Sequence, residues 1–268
     1  YGSGLFKSTL KTGGGNDYVE INTIELDKFL YGAYAIENST IETGNGDDIV
    51  KLKVTSSKTS AFVSYALHNS STIKLGNGDD KLLIDTVNSS NDLDVYISGW
   101  GSSSIDAGEG NDELTFTSSG FGIKSNNSYE MNSVYLGNGN DQLTISSNYT
   151  CLDTAVVYAG EGDDQIHLSN SNAFHYSLKN SKIYLEAGND NISLESSIDS
   201  TVYGGQGTDI VSLNGNYNDF IITTLSDNKI ITKIDDGFFK LELQDVEQLK
   251  FSDKTINFNE TPNSAPTD

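Results

Sequence analysis

The stretch TIETGNGDDIVKL, from Thr40 to Leu52, places a turn of two glycines and two aspartates directly before a segment of alternating apolar residues. Strict alternation of apolar and polar residues predicts a β-strand with one buried face. Glycine permits the positive φ angles that a tight turn requires. The stretch therefore predicts two short strands joined by an acidic, glycine-rich turn.

The same pattern occurs eight times along the chain. The copies are TGGGNDYVEI, TGNGDDIVKL, LGNGDDKLLI, AGEGNDELTF, LGNGNDQLTI, AGEGDDQIHL, LEAGNDNISL and GGQGTDIVSL. We call the second residue of each copy the reference position. It is glycine in seven copies and Glu186 in the other, and successive copies are 31, 32, 32, 29, 23, 26 and 19 residues apart. A repeat of this length indicates a solenoid or related repeat architecture.

Fixed offsets hold the repeats in one register. Every copy has glycine two residues after the reference position, aspartate four residues after it, and apolar residues six and eight residues after it. The residue three positions before the reference is always aliphatic. The glycines are Gly13, Gly15, Gly44, Gly46, Gly76, Gly78, Gly108, Gly110, Gly137, Gly139, Gly160, Gly162, Gly188, Gly205 and Gly207. The aspartates are Asp17, Asp48, Asp80, Asp112, Asp141, Asp164, Asp190 and Asp209.

These short strands predict an all-β parallel solenoid of about eight coils. A strand of a few residues cannot bury its apolar face alone, but stacking coils about 4.8 Å apart pairs each strand with its neighbours. The longer coils have room for a third strand, for which AFVSYAL (Ala61 to Leu67) is a candidate. The last coil, of 19 residues, has room for two strands. We therefore expect a cross-section that tapers toward the C-terminus and almost no helix.

The repeats stop near residue 213, which divides the chain into three parts. We expect a solenoid over 1–213, a small antiparallel β cap over 214–258, and a linker over 259–268 to a following domain. A cap would cover the open end of the solenoid, which would otherwise be an aggregation-prone edge. The first residues match the second half of a coil. Both ends therefore suggest a piece of a longer protein.

The charge of the chain excludes several classes of partner. The formal net charge is −22, and all 16 basic residues are lysines. Such a chain is unsuited to binding nucleic acid or an anionic membrane surface, because both require basic clusters. No apolar segment approaches the roughly 20 residues that span a bilayer. The acidic balance instead favours a highly solvated protein or one that binds cations.

Stacked acidic loops predict a cation site. Aspartates of adjacent coils would lie a few ångströms apart and repel each other. A hard divalent ion removes this repulsion, and Ca²⁺ accepts six to eight oxygen ligands in irregular geometry. The loop cores contain no histidine or cysteine, which argues against zinc and copper. The alternative is a set of eight solvated Asx-type turns without metal.

The loops resemble the repeats-in-toxin (RTX) family of secreted bacterial proteins. GGQGTDIVS at 204–212 matches the nonapeptide G-G-x-G-x-D-x-U-x, whereas the other copies lack the first glycine. The resemblance implies a right-handed parallel β-helix or β-roll, with Ca²⁺ held between stacked loops by the aspartates and by carbonyls around the glycines. One nonapeptide per coil implies one row of up to about seven ions. Further candidate ligands in the loops are Asn45, Asp47, Asn77, Asp79, Asn111, Asn140 and Asp163.

The same resemblance implies a function. We expect a non-enzymatic, calcium-dependent module of a secreted or cell-surface bacterial protein, an adhesin or surface-layer-like component that folds after type I secretion. The protease motif H-E-x-x-H and the lipase motif G-x-S-x-G are absent. The alternative is a polysaccharide-binding or polysaccharide-modifying module of the lyase or epimerase type. It rests on an outward column that ends in tyrosines, namely Tyr135, Tyr158, Tyr184 and Tyr203.

Overall fold

The computed structural model describes residues 2–25, 33–56, 64–88, 95–98, 102–125, 131–225, 228–233 and 239–258. These residues form β-strands and one short 3₁₀ helix, and no α-helix occurs among them. Three strands make one coil, and equivalent strands of successive coils pair in parallel. The predicted all-β parallel solenoid is therefore confirmed.

Eight coils follow one another along the chain. Their strands are β1 (Gly2–Phe6), β2 (Thr9–Gly14) and β3 (Tyr18–Glu25); β4 (Ala33–Glu37), β5 (Thr40–Asn45) and β6 (Ile49–Ser56); β7 (Ser64–His68), β8 (Thr72–Asn77) and β9 (Lys81–Asn88); β10 (Val95–Ser98), β11 (Ser104–Glu109) and β12 (Glu113–Ser118); β13 (Ile123–Lys124), β14 (Asn132–Asn138) and β15 (Gln142–Ser147); β16 (Leu152–Asp153), β17 (Ala155–Glu161) and β18 (Gln165–Asn170); β19 (Leu178–Lys179), β20 (Lys182–Ala187) and β21 (Asn191–Leu194); β22 (Ser197–Ile198), β23 (Ser200–Gln206) and β24 (Ile210–Leu213).

The strands form three sheets, one for each side of the coil. Sheet I contains the first strand of each coil, sheet II the second, and sheet III the third. The acidic loop always connects sheet II to sheet III. Pairing keeps the sequence register, so that Gly44 lies between Gly13 and Gly76. Each loop is therefore stacked on the equivalent loop of the neighbouring coil.

The inward positions form one continuous apolar core. Ile41, Val50 and Leu52 of the second coil are buried, and the equivalent residues of later coils are buried with them. Polar residues of the same strands, such as Glu42 and Lys51, alternate on the outer face. The alternation identified in the sequence thus decides which side chains enter the core.

A serine ladder lines the corner between sheets I and II. The N–H of Ser8 donates to Oγ of Ser39 at 3.1 Å, and the N–H of Ser181 donates to Oγ of Ser200 at 3.1 Å. Where one coil has asparagine, Oδ1 of Asn132 accepts the N–H of Ser103 at 2.9 Å. The column thus links successive coils through hydrogen bonds from the backbone to side chains.

Sheet I becomes narrower along the solenoid. Its strands have five residues in β1 and two in β22. The taper is as predicted, but the expectation of two strands in the last coil is wrong. Two residues in extended conformation suffice to pair with the coil before, so the third side persists. Of the predicted strand at 61–67, residues 64–67 belong to β7 and residues 61–63 lie outside the described residues.

The C-terminal segment both continues and covers the last coil. It contains the 3₁₀ helix Tyr217–Asp219 and the strands β25 (Phe220–Leu225), β26 (Asn228–Lys233), β27 (Lys240–Gln244), β28 (Gln248–Lys250) and β29 (Thr255–Asn257). β25, β26 and β27 pair antiparallel, as do β28 and β29. However, β27 and β28 pair in parallel with β23 and β24. Residues 226–227, 234–238 and 259–268, which include the predicted linker, lie outside the described residues.

Candidate metal-binding column

The glycines of the loops allow the coils to stack closely. Gly137 has φ +115°, and a Cβ added there would lie 1.8 Å from the carbonyl oxygen of Gly108 in the coil before. Gly139 has φ +140° and an equally close approach to the carbonyl oxygen of Gly110. A side chain at either position would both strain the backbone and separate the loops.

The eight aspartates form one continuous column, as the sequence predicts. Seven of them are at most 1% exposed, and Asp17 in the first coil is partly buried. From Asp48 onward, Oδ1 of each aspartate accepts the N–H of the aspartate in the preceding coil. Asp17 donates to Asp48 at 2.7 Å, and the ladder continues without interruption to Asp209. These hydrogen bonds, which were not foreseen from the sequence, fix the carboxylates in register.

The second carboxylate oxygen of every aspartate is buried without a hydrogen-bond partner among the described residues. Leaving a buried carboxylate oxygen unpaired is costly, since the charge has lost its water. Eight such atoms in a row indicate a common need for a positive charge or a proton. They are Oδ2 of Asp17, Asp48, Asp80, Asp112, Asp141, Asp164, Asp190 and Asp209.

Burial raises the pKa of several carboxyl groups in the column. Desolvation raises the pKa of Asp112 and Asp164 to about 7, and neighbouring carboxylates add to the effect. Burial likewise raises the pKa of Asp80 to about 6. Hydrogen bonds from backbone N–H groups oppose these shifts without cancelling them. At neutral pH the column therefore holds carboxylates whose ionisation is disfavoured by their surroundings.

The other predicted ligands lie on the solvent side of the loops. Oδ1 of Asp79 accepts the N–H of Asn111 at 2.8 Å, and Oδ1 of Asn140 accepts the N–H of Asp163 at 2.8 Å. Asp47 also belongs to this outer ladder, in which its Oδ1 accepts the N–H of Asp79. All five of these residues are exposed. The structure thus separates an outer ladder from the buried aspartates.

Asn45 and Asn77 form a further exposed contact. Nδ2 of Asn77 donates to Oδ1 of Asn45 at 2.8 Å. These two amides also face solvent rather than the unpaired Oδ2 atoms.

The inner side of the column depends on the residue before the reference position. At Gly204, an added Cβ would lie 1.9 Å from the carbonyl oxygen of Asp245 and 2.6 Å from Oδ2 of Asp209. The equivalent residues of the other coils all carry a Cβ, and those of the second to seventh coils are buried. At the last loop, the backbone carbonyl of Asp245 therefore lies where the other coils carry a side chain. The equivalent residues are Thr12, Thr43, Leu75, Ala107, Leu136, Ala159 and Leu185.

Glu247 extends the column and was missed in the sequence. Its Oε2 accepts the N–H of Asp209 at 2.8 Å, in the same way that Asp209 accepts the N–H of Asp190. The apolar spacing of the repeat could have identified Glu247, because buried Leu249 and Phe251 follow it at the spacing seen after each aspartate. The sequence before Glu247 lacks the glycines of the repeat, so it was not recognised as a further copy.

The donor chemistry of the column fits a hard cation. Only oxygen atoms are offered, and each gap between coils brings two carboxylates together. In the part of the chain that the structure describes, no group of three or more His, Cys, Asp or Glu side chains is arranged to hold a metal ion. Backbone carbonyls or water would have to complete any coordination shell. The aspartates are thus the first candidates for holding Ca²⁺.

Comparison of the sequence with protein-family models and with curated proteins finds no match. Among the described residues, no helix is long and apolar enough to cross a membrane.

Proposed function

We propose that this chain is a calcium-stabilised, non-enzymatic structural module of a secreted or cell-surface bacterial protein of the RTX type. The observation that carries the proposal is the column of buried aspartates, each with one carboxylate oxygen unpaired. A row of Ca²⁺ ions would neutralise this column. Seven ions would add 14 positive charges and reduce the formal net charge from −22 to −8.

Within this proposal, the two oxygens of each aspartate have different roles. Oδ1 positions the loop by accepting an N–H from the preceding coil, and Oδ2 remains available for the ion. The bound ion supplies the positive charge that the buried carboxylates lack. Because such a site exists only when the coils are stacked, binding free energy contributes to folding free energy.

Conditional folding follows from this coupling. In low cytosolic calcium the acidic loops repel one another, and the chain stays loose enough for export through a type I secretion channel. Outside the cell, calcium drives the coils to stack. The module would act within a longer adhesin or surface-layer-like chain, and surface polysaccharide or other surface components are its proposed partners.

The alternative function, polysaccharide binding or modification, gains little from the tyrosine column. Tyr158 stacks between Tyr135 and Tyr184, with centroids 4.9 and 5.1 Å away and nearly parallel planes. Tyr184 in turn stacks on Tyr203 at 4.5 Å. Both faces of the two middle rings are covered by their neighbours. A sugar ring could not stack on them as on an open platform, so the column favours a stabilising role.

Calorimetric titration of chelator-treated protein tests the proposal. We expect several Ca²⁺ ions per chain, up to about seven, and much weaker binding of Mg²⁺, which requires a stricter octahedron. The double variant Asp80→Asn/Asp112→Asn keeps the hydrogen-bond acceptors but weakens three adjacent gaps. It should lose about three ions, because each gap depends on its two carboxylates.

The matched control is Asp85→Asn/Asp199→Asn, which makes the same charge change outside the loops. Both control residues form exposed salt bridges, with Lys53 and Lys240. The control should bind as many ions as the unmodified chain. Absence of calcium binding, or equal losses in both double variants, would contradict the proposal.

A further inference from the structure

The C-terminal cap crosses the end of the aspartate column by a shorter path than a coil does. Tyr203 pairs with Gln244 and Ile210 pairs with Gln248, so six residues of the last coil lie opposite three residues of the cap. Between the last two coils, the same stretch has six residues on both sides. Residues 245–247 therefore connect sheet II to sheet III without forming a further acidic loop.

This shorter path leaves the last acidic loop open to solvent but keeps its aspartate buried. Residues 205–208 are exposed, whereas Gly160 and Gly162 of an earlier loop are half-buried. Asp209 is nevertheless 0% exposed, and its Oδ2 has no hydrogen-bond partner among the described residues. The column thus ends in a buried, unpaired carboxylate oxygen beside an exposed loop.

A backbone oxygen of the cap lies beside this carboxylate. The carbonyl oxygen of Asp245 and Oδ2 of Asp209 lie 1.9 and 2.6 Å from the same point, the place of an added Cβ on Gly204. The two oxygens are therefore no farther apart than the sum of these distances. The carbonyl of Asp245 accepts the N–H of Gly205 at 3.3 Å and keeps a second lone pair. Because both oxygens are acceptors, neither can satisfy the other.

Glu247 brings a second carboxylate to the same junction. Its Oε2 accepts the N–H of Asp209 at 2.8 Å, and the N–H of Gln248 donates to the carbonyl of Asp209 at 3.0 Å. These bonds hold the carboxyl group of Glu247 against the end of the loop. Its Oε1 has no hydrogen-bond partner among the described residues, and no lysine in that part of the chain forms an ion pair with Glu247 or Asp209.

We propose that this junction holds a further Ca²⁺ ion, beyond the seven gaps between coils, and that the ion links the cap to the solenoid. Its protein ligands would be Oδ2 of Asp209, Oε1 of Glu247 and the carbonyl oxygen of Asp245. Water would complete the six to eight oxygens that Ca²⁺ requires, entering on the side where residues 205–208 are exposed. The proposal rests on the calcium column of the proposed function and adds a ligand set that includes the cap.

The junction also accounts for the one copy of the repeat that has glycine before the reference position. The other seven copies carry a side chain there, and each of them is followed by another coil. At Gly204 a side chain would collide with the carbonyl of Asp245 and displace this proposed ligand. The complete nonapeptide therefore occurs where the solenoid meets the cap.

Equilibrium dialysis against a series of free calcium concentrations tests the proposal with Glu247→Gln. We expect this variant to bind one Ca²⁺ ion fewer than the unmodified chain, because the junction loses one of its two carboxylates. The amide keeps an oxygen that can accept the N–H of Asp209, so the fold should be retained. Circular dichroism in saturating calcium checks this.

The matched control is Asp253→Asn, which makes the same charge change in the cap but away from the column. Oδ1 of Asp253 also accepts a backbone N–H, from Tyr217 at 2.7 Å, and the amide keeps an acceptor there. The control should bind as many ions as the unmodified chain.

Hydrogen exchange in saturating calcium gives a second, local measurement. Amides of β27 and β28 should exchange about tenfold faster in Glu247→Gln than in the unmodified chain, because the ion no longer stabilises the docked cap. Amides of β14 and β15 in the fifth coil should be unchanged.

The junction site is overturned if Glu247→Gln binds as many ions as the unmodified chain, even if exchange is faster. It is also overturned if Asp253→Asn loses an ion equally, or if exchange rises as much in β14 and β15 as in the cap. A chain that binds no calcium contradicts the proposed function as well. Calcium binding that Glu247→Gln leaves unchanged overturns the junction site alone.

Discussion

Replacing Gly137 with alanine should destabilise the protein by about 3–5 kcal/mol, one of the two largest effects we expect. Two causes combine. The φ angle of +115° is strained for any residue with a Cβ, and that Cβ would lie 1.8 Å from the carbonyl oxygen of Gly108. The oxygen belongs to a backbone that pairs with coils on both sides, so it cannot move without disturbing the ladder. Urea unfolding of the variant would measure the loss.

Gly13→Ala separates these two causes. Gly13 has a similar φ of +108°, but it lies in the first coil and an added Cβ meets nothing within 4 Å. Only the conformational strain remains, so we expect a loss of about 1–2 kcal/mol. Equal losses at Gly13 and Gly137 would show that close stacking of the loops is not what requires glycine.

The second large effect concerns pH in the absence of calcium. Mainly by burial, the folded state raises the pKa of Asp112, Asp164 and Asp209 from the ordinary value of 3.8 to about 7. Between about pH 4 and pH 7 the folded chain therefore holds more protons than the unfolded chain. Stability must fall as pH rises through this range and must stay low above it. Chelator-treated protein should melt cooperatively at pH 5, whereas at pH 8 it should melt at a clearly lower temperature or have already lost its β structure.

Asp112→Asn should reduce this dependence. The amide keeps an oxygen that can accept the N–H of Asp80, but it removes one buried charge. Without calcium, we expect the variant to melt at a higher temperature than the unmodified chain at pH 8 and at a similar temperature at pH 5. With calcium, the order at pH 8 should reverse, because the lost charge is then a lost ligand.

Asp85→Asn serves as the control for this experiment, since Asp85 lies in an exposed salt bridge with Lys53. It should change the melting temperature little at either pH. If metal-free stability instead rises between pH 5 and pH 8, the carboxylates of the column are compensated in the folded state, and their unpaired oxygens do not require a positive charge.

The stacking of the loops could be predicted because a solenoid repeats by translation. When Gly44 and Gly76 occupy the same offset in two coils, pairing of the strands brings them together without any further information. The same reasoning placed Ile41, Val50 and Leu52 in the core. Each prediction rested on a residue type whose physical requirement is local, either burial or a positive φ.

The finer geometry of the site could not be predicted in this way. The pattern identified Asp112 but not the N–H of Asp80 that it accepts, because the direction of a loop N–H depends on the turn conformation. It identified Gly204 as the first glycine of the complete nonapeptide, but not the surroundings that Gly204 and Leu75 create beside the column. Strands as short as β22 contain too few residues to show an alternation.

Far-UV circular dichroism during a calcium titration of chelator-treated protein at pH 7.5, repeated with Mg²⁺, tests whether calcium drives the coils to stack. We expect a cooperative gain of β structure with Ca²⁺ at concentrations where Mg²⁺ has little effect. A full β spectrum in the presence of chelator that neither ion changes, with an unchanged melting temperature, would contradict it. The solenoid would then be held together by its apolar core and its backbone ladders alone.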